Sequence, residues 1–215
     1  MTGKASSAVI IGGGIFPRTA YPLYLISSAG IVICCDGAVK TYLKHFPDRL
    51  PHMVIGDMDS VPTRFLTSYQ GQWLKVPDQD TNDQTKAFNW LLENHPEVRE
   101  LHFIGATGRR ADHTIANLSL LMDYAGRVSA PSIDAISDSD IAFPMLDSGS
   151  FSCGEGRPVS IFSPDPALRI KSTGLEWPTD DVCFDNWWKA SLNRACSDTV
   201  TLEFSHPSRA LIILG

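Results

Sequence analysis

The apolar residues of this chain change their period near residue 130. Before that point, short apolar runs alternate with stretches where apolar positions recur every three or four residues. Ala8–Gly12, Ile31–Cys35, Met53–Ile55, Trp73–Val76 and Leu101–Ile104 read as strands. Between them, Tyr21–Ala29 reads as a helix ended by Gly30. Val39, Leu43 and Phe46 keep helical spacing until Pro47, and a brief helix covers Thr63–Ser68. Ala87, Phe88, Leu91 and Leu92 mark one helix face, with Thr81 or Asn82 as its cap and Pro96 just past its end. Ile115, Leu118, Leu121, Met122 and Ala125 mark another, ending at Gly126. Strands alternating with helices predict an α/β domain built on a mostly parallel sheet, covered on both faces.

Beyond residue 130 no helical period lasts more than a turn or two. Ile133–Ile136, Ile141–Met145, Val159–Phe162, Leu168–Lys171, Val182–Phe184, Thr199–Phe204 and Ala210–Leu214 read as short strands separated by Gly, Pro, Asp and Ser. The first of them can complete the N-terminal sheet. The rest predict a small all-β domain, an antiparallel sandwich or barrel, which sets an expected division into residues 1–137 and 138–215.

Chemistry concentrates where the predicted strands end. Gly12-Gly13-Gly14, Cys35-Asp36-Gly37-Ala38, Gly56-Asp57-Met58-Asp59-Ser60, Asp80-Thr81-Asn82-Asp83, Gly105-Ala106-Thr107-Gly108 and Arg110-Ala111-Asp112-His113 all fall there. Ligands of open parallel sheets bind outside the carboxyl ends of the strands. Asp36, Asp57, Asp59, Asp83 and Asp112 are therefore expected to converge on one edge. So many acids repel one another unless a cation sits among them, and an oxygen-lined site suits Mg²⁺ holding a polyphosphate. Taken singly, Asp36, Asp83 and Asp112 also read as helix caps, and Asp57 with Asp59 as a solvated turn. Gly13, Gly37, Thr107 and Gly108 lie where phosphate or ribose can approach the backbone. Arg110, beside Arg109, can fork onto phosphate oxygens. Lys86 is either a partner of Asp83 one turn away or a second phosphate contact. In the β-rich half, Trp177 reads either as a core residue or as an exposed ring that stacks on a cationic ligand. Trp187 and Trp188 read as packing residues.

Composition narrows the choice. The 215-residue chain carries a net charge of −6 and no basic stripe, which argues against nucleic acid or an anionic membrane as partner. No apolar run approaches the roughly 18 residues needed to cross a bilayer. Five cysteines without CxxC spacing, and no signal-peptide pattern at the N-terminus, fit a cytoplasmic protein.

The ordered set of words resembles the thiamin pyrophosphokinase family. Asp36-Gly37-Ala38, Gly56–Ser60, Asp80–Asp83 with Lys86, Gly105–Asn117 and Thr173–Trp177 match its motifs in sequence along nearly the whole chain. Asn82 stands where the family usually has Thr, Arg109 where it has a second Gly, Glu176 where it has Lys, and Ser191-Leu192-Asn193 where it has Thr-Ser-Asn. The resemblance implies a homodimeric, Mg²⁺-dependent enzyme that moves the terminal diphosphate of ATP to the hydroxyl of thiamin, releasing AMP. It implies an N-terminal α/β domain and a C-terminal β-sandwich, with thiamin near the subunit interface. On that footing Asp57, Asp59 and Asp83 are expected to hold Mg²⁺, with Asp36 as a further ligand or a nucleotide contact. Arg110 is expected to steady the moving diphosphate. Asp112 either orients Arg110 or accepts the hydroxyl proton. Trp177 is expected to stack on thiamin, with Ser172 or Thr173 hydrogen-bonding its aminopyrimidine. Two other readings are a Mg²⁺-dependent phosphohydrolase or nucleotidyl transferase, and a catalytically idle nucleotide- or thiamin-binding protein.

Overall fold

The computed structural model describes residues 7–128 and 132–215. The described chain falls into two compact units. The first runs through Leu120 and takes in the stretch ending at Asp138; the second takes the chain from Leu121 and then Ser139–Gly215.

Along the chain up to Asp138 the expected alternation appears as β1 (Ser7–Ile11), α1 (Ala20–Ser28), β2 (Ile31–Cys35), α2 (Ala38–His45), β3 (Met53–Gly56), α3 (Thr63–Ser68), β4 (Trp73–Lys75), α4 (Asp83–Asn94), β5 (Glu100–Ile104), α5 (Ala111–Arg127) and β6 (Ser132–Ile136). All six strands are parallel, in the order β4-β3-β2-β1-β5-β6. Ile10 lies between Ile33 and Phe103 in register. Every residue of β2 is buried, as both faces are covered. Val9, Ile11, Val32, Cys34 and Val54 pack with Ile26 of α1 and Val39 and Tyr42 of α2. Strand alternation turns Ile10, Ile33, Cys35 and Ile55 to the other face. There α4 packs across β1, β2 and β3, burying Ala87, Phe88 and Leu91.

Two helix details differ from the sequence pattern. Thr19 precedes α1 without capping it; Asp138, just past β6, instead accepts hydrogen bonds from the Arg18 and Thr19 amides at 2.8 and 2.9 Å. In α5, burial begins at Leu121, while Ile115 stays 48% exposed. The first turns of this helix carry polar contacts at the rim, so their apolar residue has nothing to pack on.

The second unit is antiparallel throughout. It contains β7 (Ile141–Met145), β8 (Gly149–Ser152), β9 (Pro158–Phe162), β10 (Ile170–Thr173), β11 (Asn193–Arg194), β12 (Thr199–Phe204) and β13 (Ala210–Leu214). One layer runs β11-β9-β13-β7 and the other β10-β12-β8. Val159, Ile161, Ile170, Val200, Leu202, Ile212 and Leu214 fill the core of this sandwich. Three sequence expectations shift. Val182–Phe184 is not a strand: the Val182 amide closes a turn on Thr179, and Phe184 reaches the core from a loop. The strand expected at Leu168–Lys171 begins two residues later. β8 and the two-residue β11 have too few apolar residues to show in the sequence.

Candidate active site

Parallel strands end on the same side, so β1, β2, β3 and β5 deliver Gly12–Gly14, Asp36, Asp57 and Gly105–Gly108 to one edge of the sheet. Asp36 takes a left-handed backbone (φ 43°) immediately after β2 and is only 6% exposed. It does not cap α2. Its Oδ2 accepts the Ser60 amide at 3.2 Å, and its Oδ1 is buried without a partner. Gly56 makes this placement possible: a Cβ there would stand 2.7 Å from the Asp36 Cβ.

Asp57 accepts the Asp59 amide at 3.0 Å, which holds its carboxyl below the usual range. Asp83 opens α4. Burial raises its carboxyl, the Lys86 ammonium opposes that, and the charges of Asp36 and Asp57 add to the rise. Asp83 is thus the acid on which the charges of the other two bear. Lys86 is itself buried, 3.2 Å from Asp83 Oδ1, so it is the partner of that carboxylate. Asp59 is exposed on the turn after Asp57 and is not drawn into the group. Among the described residues, no three acidic, His or Cys side chains stand close enough together to hold a metal ion. The donor chemistry nevertheless fits one. Asp36 leaves a buried oxygen unpartnered, its charge and that of Asp57 both bear on Asp83, and hard oxygen ligands suit Mg²⁺.

The glycine words zip two loops together. The Gly12 amide donates to Ile104 O at 2.8 Å, Gly14 to Gly105 O at 2.7 Å and Ile15 to Thr107 O at 2.8 Å. A Cβ at Gly14 would lie 2.2 Å from Thr107 O; one at Gly13 would meet nothing within 4 Å. Gly13 is thus the member of the triplet with room beside it. Gly108, at φ 100°, donates its amide to Thr114 Oγ1 at 3.3 Å. Arg110 forks onto Asp112, its Nε 3.0 Å from Oδ1 and its other nitrogen on Oδ2. That fork, with the His113 amide, pushes Asp112 down to about 2. Both side chains are exposed. Asp112 is not among the charges that bear on Asp83.

Sequence reasoning missed Asn117. Its Nδ2 donates to Ala106 O at 2.7 Å, its Oδ1 accepts Asn82 Nδ2 at 2.9 Å, and its backbone carbonyl accepts Gln84 Nε2 at 3.1 Å. Asn82, rather than Thr81, caps α4 through the Thr85 amide at 2.9 Å. The signal was Asn82 just before α4 and the Asn that ends the Gly105–Asn117 word inside α5, and no periodicity links the two.

In the second unit Trp177 is 54% exposed, not a core residue. Asn193, buried, accepts the Trp177 amide at 3.2 Å and donates to its carbonyl at 2.6 Å. Ser172 accepts the Thr179 amide on its hydroxyl at 2.9 Å. Alternation along β10 puts Ser172 on the side of buried Ile170 and Thr173 on the side of exposed Lys171. The two therefore do not face one ligand together. Trp187 and Trp188, expected to pack, are 61% and 68% exposed. They sit in the loop between β10 and β11.

Comparison with known proteins matches residues 23–130 to the thiamin pyrophosphokinase catalytic domain and residues 141–208 to the thiamin pyrophosphokinase substrate-binding domain. Thiamine pyrophosphokinase 1 of Oryza sativa subsp. japonica is 26% identical over 206 residues, covering 83% of this chain and 76% of its own length. Among solved structures, thiamin pyrophosphokinase from Candida albicans superposes with a TM-score of 0.80 at 16% identity, over 97% of this chain and 89% of that one. Thiamine pyrophosphokinase from Bacillus subtilis does so with a TM-score of 0.76 at 19% identity, over 97% and 98%.

Proposed function

This chain belongs to the thiamin pyrophosphokinase family, and from that premise we propose how its residues divide the work. It is a thiamin diphosphokinase: it transfers the diphosphate of ATP to thiamin and forms thiamin diphosphate. In that transfer the thiamin hydroxyl oxygen forms a bond to the β-phosphorus. The bond from the β-phosphorus to the α–β bridging oxygen breaks, AMP leaves, and the hydroxyl loses its proton. Such reactions depend on positioning and charge neutralisation.

The nucleotide and its metal fall to residues of the α/β part, 1–137. Asp57, Asp59 and Asp83 would hold Mg²⁺, with Asp36 as a further ligand. What supports this assignment is the buried, unpartnered Asp36 Oδ1, together with the charges of Asp36 and Asp57 that both bear on Asp83. When bound, Mg²⁺ neutralises charge on the triphosphate. The Lys86 ammonium opposes the rise that burial causes at the Asp83 carboxyl. Gly13, Gly37, Thr107 and Gly108 supply backbone close to the phosphates. Arg110 steadies the moving diphosphate, and the fork onto Asp112 supports the orienting role for that acid. With its carboxyl held at about 2, Asp112 is a poor base near neutral pH. Replacing it with Asn is expected to lower kcat while leaving the limbs of the pH–rate profile in place. Loss of a limb in that variant would return the base role to Asp112.

Residues 138–215 contribute thiamin binding and the homodimer contact. Trp177 stacks on the thiazolium, whose fixed positive charge suits a ring face. Thr173 or Ser172 meets the aminopyrimidine. Trp177→Ala is expected to raise the thiamin KM about tenfold with the ATP KM unchanged, as measured by steady-state kinetics. An unchanged thiamin KM removes the stack. The cytoplasm, where ATP and Mg²⁺ are plentiful, is the proposed location. Among the described residues, no helix is long and apolar enough to cross a membrane.

The deciding experiment incubates the protein with ATP, Mg²⁺ and thiamin and identifies the products. AMP and thiamin diphosphate in equal amounts are expected. Free phosphate or a nucleotidyl adduct instead would point to the hydrolase or nucleotidyl-transferase reading.

A further inference from the structure

The amides of Asn82, Gln84 and Asn117 tie the start of α4 to the glycine loop after β5, and their orientation can be deduced link by link. Ala106 O accepts only, so the Asn117 group 2.7 Å away is its NH₂. Asn117 Oδ1 therefore faces Asn82, and the Asn82 group 2.9 Å from it is a donor. That leaves Asn82 Oδ1 for the Thr85 amide and hydroxyl, each at 2.9 Å, which is the cap of α4. No member can flip without leaving two like groups face to face. Gln84, only 5% exposed, adds a donor to the Asn117 backbone carbonyl at 3.1 Å. Asp83 lies between Asn82 and Gln84 in the chain, so both of its neighbours are pinned to the same residue of α5.

We propose that the Asn82–Asn117 amide link is a positioning device that sets Asp83 relative to the Gly105–Gly108 loop, and so sets the affinity of the enzyme for Mg²⁺-bound ATP. Asn82 and Asn117 act through Asp83 and the loop. The inference rests on the reading that Asp83 and this loop serve the metal and the phosphates. A cap alone requires only an acceptor at position 82, and Ser satisfies it nearly as well as Asn. Only a side chain that also donates at the reach of a primary amide makes the second bond.

Asn82→Ser keeps the cap and removes the amide donor, whereas Asn117→Ala removes the side-chain bonds to Asn82 and Ala106 and keeps the backbone carbonyl that accepts from Gln84. Both are expected to raise the KM for MgATP, and the Mg²⁺ concentration for half-activation, by about fivefold or more, as the loss of a well-formed hydrogen bond does. The thiamin KM should stay at its wild-type value, and Asn82→Ser should unfold at the wild-type temperature. The double variant should be no worse than the poorer single one, because both break the same link. Asp83→Asn, assayed in parallel, tests the underlying reading. If it leaves the Mg²⁺ requirement unchanged, that reading fails. If Asp83→Asn is crippled but the two Asn variants keep the wild-type MgATP KM, the positioning role is overturned. So it is if the KM values for MgATP and thiamin rise together, or if the effects of the two variants simply add.

Discussion

Asp57→Asn is expected to reduce turnover on the order of a hundredfold or more at saturating Mg²⁺, the scale of losing one metal carboxylate. The substitution is informative because of what it keeps. The carboxylate of Asp57 already spends Oδ1 on the Asp59 amide at 3.0 Å, and the amide oxygen of Asn can accept that same bond. The turn after β3, with Met58 buried in a left-handed backbone at φ 65°, therefore has no reason to rearrange. The variant loses a charge, one of two metal-ligating oxygens and the hydrogen bond that Gln79 donates to the carboxylate. Steady-state rates across a Mg²⁺ series measure the effect, with a thermal melt as the control for folding. Near-normal turnover at high Mg²⁺ would take Asp57 out of the metal set and leave Asp36, Asp59 and Asp83 to carry it.

Gly14→Ala is expected to destabilise the protein by about 3 kcal/mol or more, through overpacking and broken loop hydrogen bonds. For a chain of this length that lowers the melting temperature by roughly 6–12 °C. The added methyl would stand 2.2 Å from Thr107 O and 2.4 Å from Gly105 O, and both are backbone atoms that cannot swing aside as a side-chain tip can. Either the Gly14–Gly105 hydrogen bond of 2.7 Å breaks or the loop after β5 moves. Activity should fall with stability, since that loop leads into Arg110. Gly13→Ala is the internal control. With nothing within 4 Å of its Cβ, it should leave the melting temperature near wild type. Any rise it causes in the KM for ATP then reports phosphate contact at Gly13. Equal melting temperatures for Gly13→Ala and Gly14→Ala would show that the two loops are not packed as described.

The acids illustrate both what was legible and what was not. Their position at strand ends followed from the alternation of apolar runs with helical periods, and parallel pairing then carries Asp36, Asp57 and Asp83 to one edge. What each carboxylate bonds to did not follow. Asp36 reads as a cap for α2 because it precedes a helix. The folded chain sends it to Ser60 instead, because Gly56 leaves a gap beside it. Lys86 was ambiguous until burial left it a single carboxylate to pair with. Ser172 and Thr173 look equivalent in sequence, and only the pleat of β10 separates them. Trp187 and Trp188 read as packing residues on hydrophobicity alone, yet both rings stay exposed on their loop.

By itself, the order of residues determined the element types, the parallel and antiparallel halves, and the set of acids, glycines and tryptophan that mark the family. These depend on side-chain period and on short-range backbone preference, which neighbouring residues settle among themselves. Tertiary structure alone decided which acids bear on Asp83, that Asp138 closes α1, and that Asn117 joins Asn82 to Ala106. Each of those contacts spans stretches that are distant in the chain and is created only when strands and helices fix the distance between them.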